Sequence, residues 1–284
     1  MLVTLKDVLD MAEKEKYAIG AFNTPNLECI MAVIHSAEHF NVPVVISHAE
    51  LHEPVMQLSV IGPIMVQMAK RAKVPVCVHL DHGETLAYLK QALDLGFTSI
   101  MYDGSMLPYE ENLHNTREAI LLARKTGASV EAELGTLGRS EAGGEERAED
   151  KADVYTDPEL AKKFVEESGI DALAVSFGTV HGLYTTQPNL DFVRIETIRS
   201  LVHMPLVMHG GSGVSPEDYT TAIRKGIRKI NYYTYMSQQG VLAVEKLLCE
   251  RKVTFFHDIA KTAVRAMEED VKNAMSVFYR KIRV

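Results

Sequence analysis

Three histidines, His82, His181 and His209, sit just past short hydrophobic runs, in the segments VCVHLDHG, ALAVSFGTVHGLY and LVMHGGSG. Their neighbours are glycines or a carboxylate. Neutral imidazole is the commonest protein ligand for zinc, and three protein ligands leave a fourth position for a substrate oxygen, which is the arrangement of a catalytic site. A single histidine at a strand end is more often a hydrogen-bonded structural residue than a ligand. Three at equivalent places of a repeating pattern point to a metal enzyme.

The elements that would position them alternate along the chain. Apolar, β-rich runs occur at 18–23, 43–48, 75–82, 98–105, 129–135, 171–178, 205–211 and 228–234. Between them lie stretches with helical apolar spacing, such as LECIMAVIHSAEHF and PELAKKFVEESG. Near-continuous Val, Ile and Ala in the strands suits a parallel sheet buried on both faces, and eight βα units close into a barrel of about this length. The expected fold is therefore a (β/α)₈ TIM barrel spanning 1–284 as one domain. An open doubly wound sheet is the alternative, but neither GxGxxG after the first strand nor GxxxxGK[ST] anywhere is present. Barrel chemistry collects at the C-terminal ends of strands, and Asn23, Asp81, His82, Asp103, Glu133, His181, His209 and Asn231 all fall there.

Composition narrows the function. The 284 residues are 46% hydrophobic, enough for one large core. A net charge of −8 argues against a nucleic-acid binder. The one basic cluster, Arg224-Lys225 with Arg228-Lys229, lacks interleaved aromatics and reads as a solvated helix end. No run approaches the ~20 apolar residues that span a bilayer, and the charged N-terminal segment does not look like a signal peptide. Cys29, Cys77 and Cys249 are odd in number and widely spaced, which suggests reduced thiols and a cytoplasmic protein. The stretch 136–157, rich in Gly, Glu, Asp and Ala, reads as an active-site lid, a charged surface loop being the plainer alternative.

HLDHG around Asp81-His82, EAELG at 131–135, HGLY at 181–184, HGGSG at 209–213 and KINYYT at 229–234 occur in one order. Together, from the N-terminus to about Arg265, they make the chain similar to the class II, metal-dependent ketose-bisphosphate aldolases, particularly the tagatose-bisphosphate type. The resemblance implies reversible cleavage of a tagatose- or fructose-1,6-bisphosphate-like ketose to dihydroxyacetone phosphate and an aldehyde. It implies a catalytic Zn²⁺ on His82, His181 and His209, with Asp103 and Glu133 as ligands of a second or displaced metal position. It implies Asp81 as the proton shuttle at the C4 hydroxyl, Glu141 as the group that exchanges a proton at the triose carbon, and Asn231 as a hydrogen-bond donor to the enediolate. Asn23, Gly182, Gly210, Gly211, Ser212, Asn231, Tyr232, Tyr233 and Thr234 become the expected substrate contacts, with a Na⁺ or K⁺ ion among the glycine carbonyls. A homodimer or homotetramer is expected on the same ground.

Departures from the family pattern concern the substrate. Ala49 stands where relatives carry Ser or Thr, Arg139 replaces a lid glycine, and Tyr232, Tyr233 and Tyr235 replace smaller or acidic residues. They suggest a non-standard aldehyde partner. His48 and His52 could form a metal pair on a helix, against a plain surface role. Lys229 begins its strand, so it should lie at the face away from the chemistry, which leaves no Schiff-base lysine at the strand ends. Two other readings stand beside the aldolase: a companion subunit supporting a catalytic partner, and a zinc-dependent phosphosugar epimerase or hydrolase.

Overall fold

A computed structural model describes residues 1–135, 155–184 and 187–280. Most helices begin on side chains suited to hold free backbone N–H groups. Thr4 and Asp7 form a reciprocal capping box on α1 (Leu5–Glu15), and Asn26 caps α2 (Leu27–Phe40). Thr85 caps α4 (Leu86–Asp94), Asp157 α6 (Pro158–Ser168), Asp191 α7 (Phe192–Val202) and Ser215 α8 (Pro216–Lys225). The remaining helices are α3 (Leu58–Arg71), α5 (Tyr109–Arg124), α9 (Thr234–Glu250) and α10 (Phe256–Phe278).

The strands are β1 (Leu2–Val3), β2 (Ile19–Asn23), β3 (Val44–Ala49), β4 (Val76–Gly83), β5 (Ser99–Tyr102), β6 (Ser129–Leu134), β7 (Ala172–Val175), β8 (Leu206–Met208) and β9 (Ile227–Tyr232). β2 to β9 pair in parallel in chain order, and β9 returns to β2 with Ile19 opposite Lys229, closing an eight-stranded (β/α)₈ barrel. The short β1 extends the lower part of β4.

Alternation along the strands creates two apolar layers. Val44, Ile46, Val76, Val78 and Leu80 face outward under the helices. Ile19, Ala21, Val45, Cys77, Ala172, Ala174 and Val207 face inward and meet Leu5, Val8, Leu9 and Ala12 of α1. That helix lies across the N-terminal end of the barrel and seals its floor. Polar inward positions gather in the middle and upper barrel, where β-strand C-termini open, apart from Ser129 at the floor, whose Oγ accepts from Lys6 N–H of α1.

The basic cluster is divided by this architecture. Arg224 and Lys225 end α8, but Arg228 and Lys229 belong to β9 and are 4% and 0% exposed. Arg228 pairs with Glu13 at 2.9 Å. Lys229 is two residues into its strand rather than at its start, so its chain rises through the barrel to Glu131, Nζ to Oε2 at 2.9 Å. The expectation that it lies at the opposite face is corrected on that count. His48 and His52 do not share a helix: His48 is the penultimate residue of β3 and His52 ends a single-turn 3-10 helix at Glu50–His52, and both are buried.

Candidate active site

Asp81 and His82 are consecutive, yet both reach the barrel mouth, which regular alternation forbids. The pairing of β4 with β5 shifts register between Leu80 and Gly83, and His82 takes φ +43°, in the left-handed region. The bulge turns two neighbouring side chains inward. A left-handed non-glycine residue costs about 1–3 kcal/mol and persists where surrounding structure imposes it, often at a functional site.

The histidines converge. Ring centroids of His82 and His209 are 4.5 Å apart, His82 and His181 5.0 Å, His181 and His209 5.8 Å. Ligand atoms of the three lie within 4.8 Å of one another. On the outer side, His82 Nδ1 lies 2.7 Å from Asp103 Oδ2, and His209 Nε2 lies 2.9 Å from Glu131 Oε1. Each carboxylate accepts the ring N–H on its side. The inner nitrogens, His82 Nε2 and His209 Nδ1, then face one another as lone pairs at 2.8 Å. Two lone pairs would repel at that distance, so a proton holds the pair, donated by His82 Nε2 to His209 Nδ1, and a metal cation bound by both nitrogens would replace that proton.

The electrostatics agree. Burial opposes charge on His82, but Asp81, Asp103 and Glu133 outweigh it and raise the imidazole to about 10. Burial lowers His209, assisted by the neighbouring charge of His82. Asp81 is fully buried, which works against its charge, yet the histidines and Lys229 hold it well below the usual carboxylate range. Glu131 is depressed similarly, its burial overridden chiefly by Lys229. The residues thus form a carboxylate-ringed imidazole cluster that attracts a cation, and tetrahedral zinc fits its donor set of nitrogen ligands backed by oxygen acceptors. Asp103 and Glu133 form a second close group with His82.

Around the cluster the expected substrate residues come together. Asn23, Asp81, His82, His181, Gly182, Gly210, Gly211, Ser212, Asn231, Tyr232, Tyr233 and Thr234 line one pocket at the barrel mouth. Tyr184 Oη donates to the Gly210 carbonyl at 2.8 Å and accepts from Val180 N–H at 3.0 Å, tying the HGLY segment to the HGGSG turn. Gly210 has φ +62°, and a Cβ there would meet the Val180 carbonyl oxygen at 2.4 Å, so only glycine fits. Ser212 Oγ accepts from Tyr233 N–H at 2.9 Å, at the start of α9, where helix N–H groups suit an anion. Asn231 Nδ2 donates to Asp81 Oδ1 at 3.0 Å.

Glu141 and Arg139, with most of the expected lid, lie outside the described residues. Sequence reading missed Glu131 and Lys229. The signal was available in EAEL, where glutamates two apart must share the inward face of β6, so both were candidates.

A family model for class-II fructose-bisphosphate aldolase matches residues 3–282. The fructose-bisphosphate aldolase of Geobacillus stearothermophilus is 39% identical over 254 residues, 88% of this chain and 86% of that one. The uncharacterized protein YdjI of Escherichia coli strain K12 is 39% identical over 246 residues, 87% of each chain. The crystal structure of the YdjI aldolase from Escherichia coli K12 superposes with a TM-score of 0.87 at 36% identity, covering 98% of this chain and 97% of that one. With a matching family model over nearly the whole chain and a relative named for the same activity, the chain belongs to the class II fructose-bisphosphate aldolase family, an aldolase that acts as a carbon–carbon lyase.

Proposed function

We propose that this aldolase is zinc-dependent and reversibly cleaves a ketose phosphate of the tagatose- or fructose-1,6-bisphosphate kind to dihydroxyacetone phosphate and an aldehyde, within one barrel domain. The observation that carries the reading is the facing pair of inner nitrogens on His82 and His209, with both outer nitrogens committed to carboxylates and His181 alongside. When bound by these three histidines, zinc supplies a Lewis acid for the negative charge that develops at the ketone oxygen.

The chain's own residues do the rest. Asp81, ionised and fixed by Asn231, takes the proton of the C4 hydroxyl as the C3–C4 bond breaks, and returns it in condensation. The electron pair left by that bond is delocalised over C3, C2 and the ketone oxygen, and Asn231 Nδ2 donates toward that oxygen. Glu141 delivers the proton to the former C3 of the ketose, now the hydroxymethyl carbon of the released triose phosphate. The triose phosphate group sits among Gly182, the Gly210-Gly211-Ser212 turn and the start of α9 at Thr234, with Tyr232 and Tyr233 on the flank and a Na⁺ or K⁺ ion at the glycine carbonyls. Asp103 and Glu133 hold a displaced metal position beside His82.

A coupled assay for dihydroxyacetone phosphate release from the two bisphosphates tests this with protein as isolated, after chelation and after zinc is restored. Release that is lost on chelation and regained with zinc is expected. Release indifferent to chelation would defeat the zinc assignment.

A further inference from the structure

One side of the barrel mouth carries buried polar atoms with nothing to bond. Asn23 Oδ1, Ser47 Oγ and His52 Nδ1 have no hydrogen-bond partner among the described residues, although the three residues are only 8%, 1% and 5% exposed. Asn23 and Ser47 are direct neighbours in the pairing of β2 with β3. The next inward position of β3 is Ala49, opposite Asp81, and offers no polar atom. His52 stands just beyond it, with its ring 5.4 Å from the ring of Tyr233, which lines the pocket.

The turn bearing His52 is held firmly. Glu50 accepts the backbone N–H groups of Glu84 and Thr85 at 2.7 and 3.3 Å, pinning it to the end of β4. Glu53 accepts from Leu58 N–H at 2.8 Å and from Tyr88 Oη at 2.6 Å, and Tyr88 Oη lies 3.2 Å from His48 Nε2. Such anchoring fixes His52 beside Asp81 rather than leaving it to rotate toward solvent. Buried polar atoms without partners are costly, and a site that keeps them is one whose partner arrives with the ligand. The three side chains are an amide, a hydroxyl and an imidazole kept neutral by burial. They suit the hydroxyl groups of a sugar chain, not a phosphate.

Resting on the aldolase reading above, we propose that Ser47 and His52 are specificity-determining residues that hydrogen-bond hydroxyl groups of the aldehyde half, beyond the carbon served by Asp81 and next to Asn23. Preference for a hydroxylated aldehyde over its deoxy analogue is then written on β3 and the turn after it.

The experiment is condensation of dihydroxyacetone phosphate with D-glyceraldehyde and with propionaldehyde, comparing kcat/KM for wild type, Ser47→Ala, His52→Leu, Ser47→Thr and His52→Gln. Wild type is expected to favour glyceraldehyde by about tenfold or more, since a site built to bond a hydroxyl leaves its own groups unpaired with the analogue. Ser47→Ala and His52→Leu should each lower the glyceraldehyde value about tenfold while moving the propionaldehyde value about twofold or less, and the two conservative variants should keep most of the preference. Equal losses on both aldehydes, or an undiminished preference in the alanine and leucine variants, would overturn the assignment. Wild-type exchange of a hydroxymethyl hydrogen of the triose phosphate with solvent separates the two levels. Exchange without an aldehyde preference removes the Ser47 and His52 assignment alone, whereas no exchange in zinc-supplied protein removes the aldolase mechanism beneath it as well.

Discussion

Asn231 on β9 and Asp81 on β4 are 150 residues apart in sequence, and the amide of one donates to the carboxylate of the other at 3.0 Å. The bond occupies one carboxylate oxygen and leaves the second to face the substrate. Asp81→Asn preserves shape but cannot take a proton at neutral pH. Cleavage should fall by roughly 10²–10⁴ while the protein still binds one zinc per chain by metal analysis. A variant with a tenth or more of wild-type turnover would remove Asp81 from the proton-transfer role.

Glu131 is shared between His209 and Lys229, with contacts of 2.9 Å to each. Removing it frees the outer nitrogen of His209 and strands a buried ammonium. Glu131→Gln should weaken zinc binding by about 10–100-fold in competition with a chromophoric chelator. Unchanged affinity would mean that His209 needs no carboxylate to present Nδ1.

Gly210 and Gly127 both have positive φ, +62° and +74°, but only Gly210 is crowded, since nothing lies within 4 Å of a Cβ on Gly127. Gly127→Ala bears conformational strain alone, on the order of 1 kcal/mol. Gly210→Ala adds a collision with the Val180 carbonyl and should cost several times more, on the order of 3 kcal/mol, with KM raised as the phosphate turn is displaced. Equal melting temperatures for the two variants would contradict the crowding.

Burial works against the charge of Glu13, but a hydrogen bond from Lys16 and the charges of Arg228 and Arg199 hold its carboxyl below the ordinary value. A carboxyl depressed in the folded state stabilises above its unfolded pKa, and that contribution disappears as pH falls through the folded value. Melting temperatures of wild type and Glu13→Gln should therefore differ at pH 6 to 7, by a modest amount on the order of 2 °C given the exposure of the group, and converge as the pH falls through the depressed value of the folded carboxyl. A gap that persists in acid would assign the effect to packing.

Much of the barrel was legible because its strands are continuous in apolar β-formers and its helices keep a clear period; LECIMAVIHSAEHF became α2 residue for residue. The mouth was legible for a different reason, namely that polar residues ending apolar runs have few other uses. What resisted reading depended on depth and register. A lysine near a strand start does not reveal that its own length will carry it up to a glutamate one strand-pair layer higher, as Lys229 does. EAELG offers two inward glutamates, and only the register of β6 against its neighbours shows that Glu131 serves His209 while Glu133 approaches His82. The bulge that lets Asp81 and His82 work side by side leaves no mark in composition. His52 was noticed only as one of a possible pair with His48, and its inward direction was hidden, because a short turn after a strand gives no period from which a direction could be taken.

Among the described residues, the helix laid across the floor leaves the barrel open at one end, its mouth. With Leu5, Val8 and Leu9 stopping the lower end and Lys229 and Glu131 filling the middle without solvent contact, an ion gripped by the histidines would come and go through the same mouth as the proposed sugar. A seated sugar is then also a cork, and the residence time of an ion in the well is governed as much by how often the sugar lifts as by the strength of the imidazoles below it.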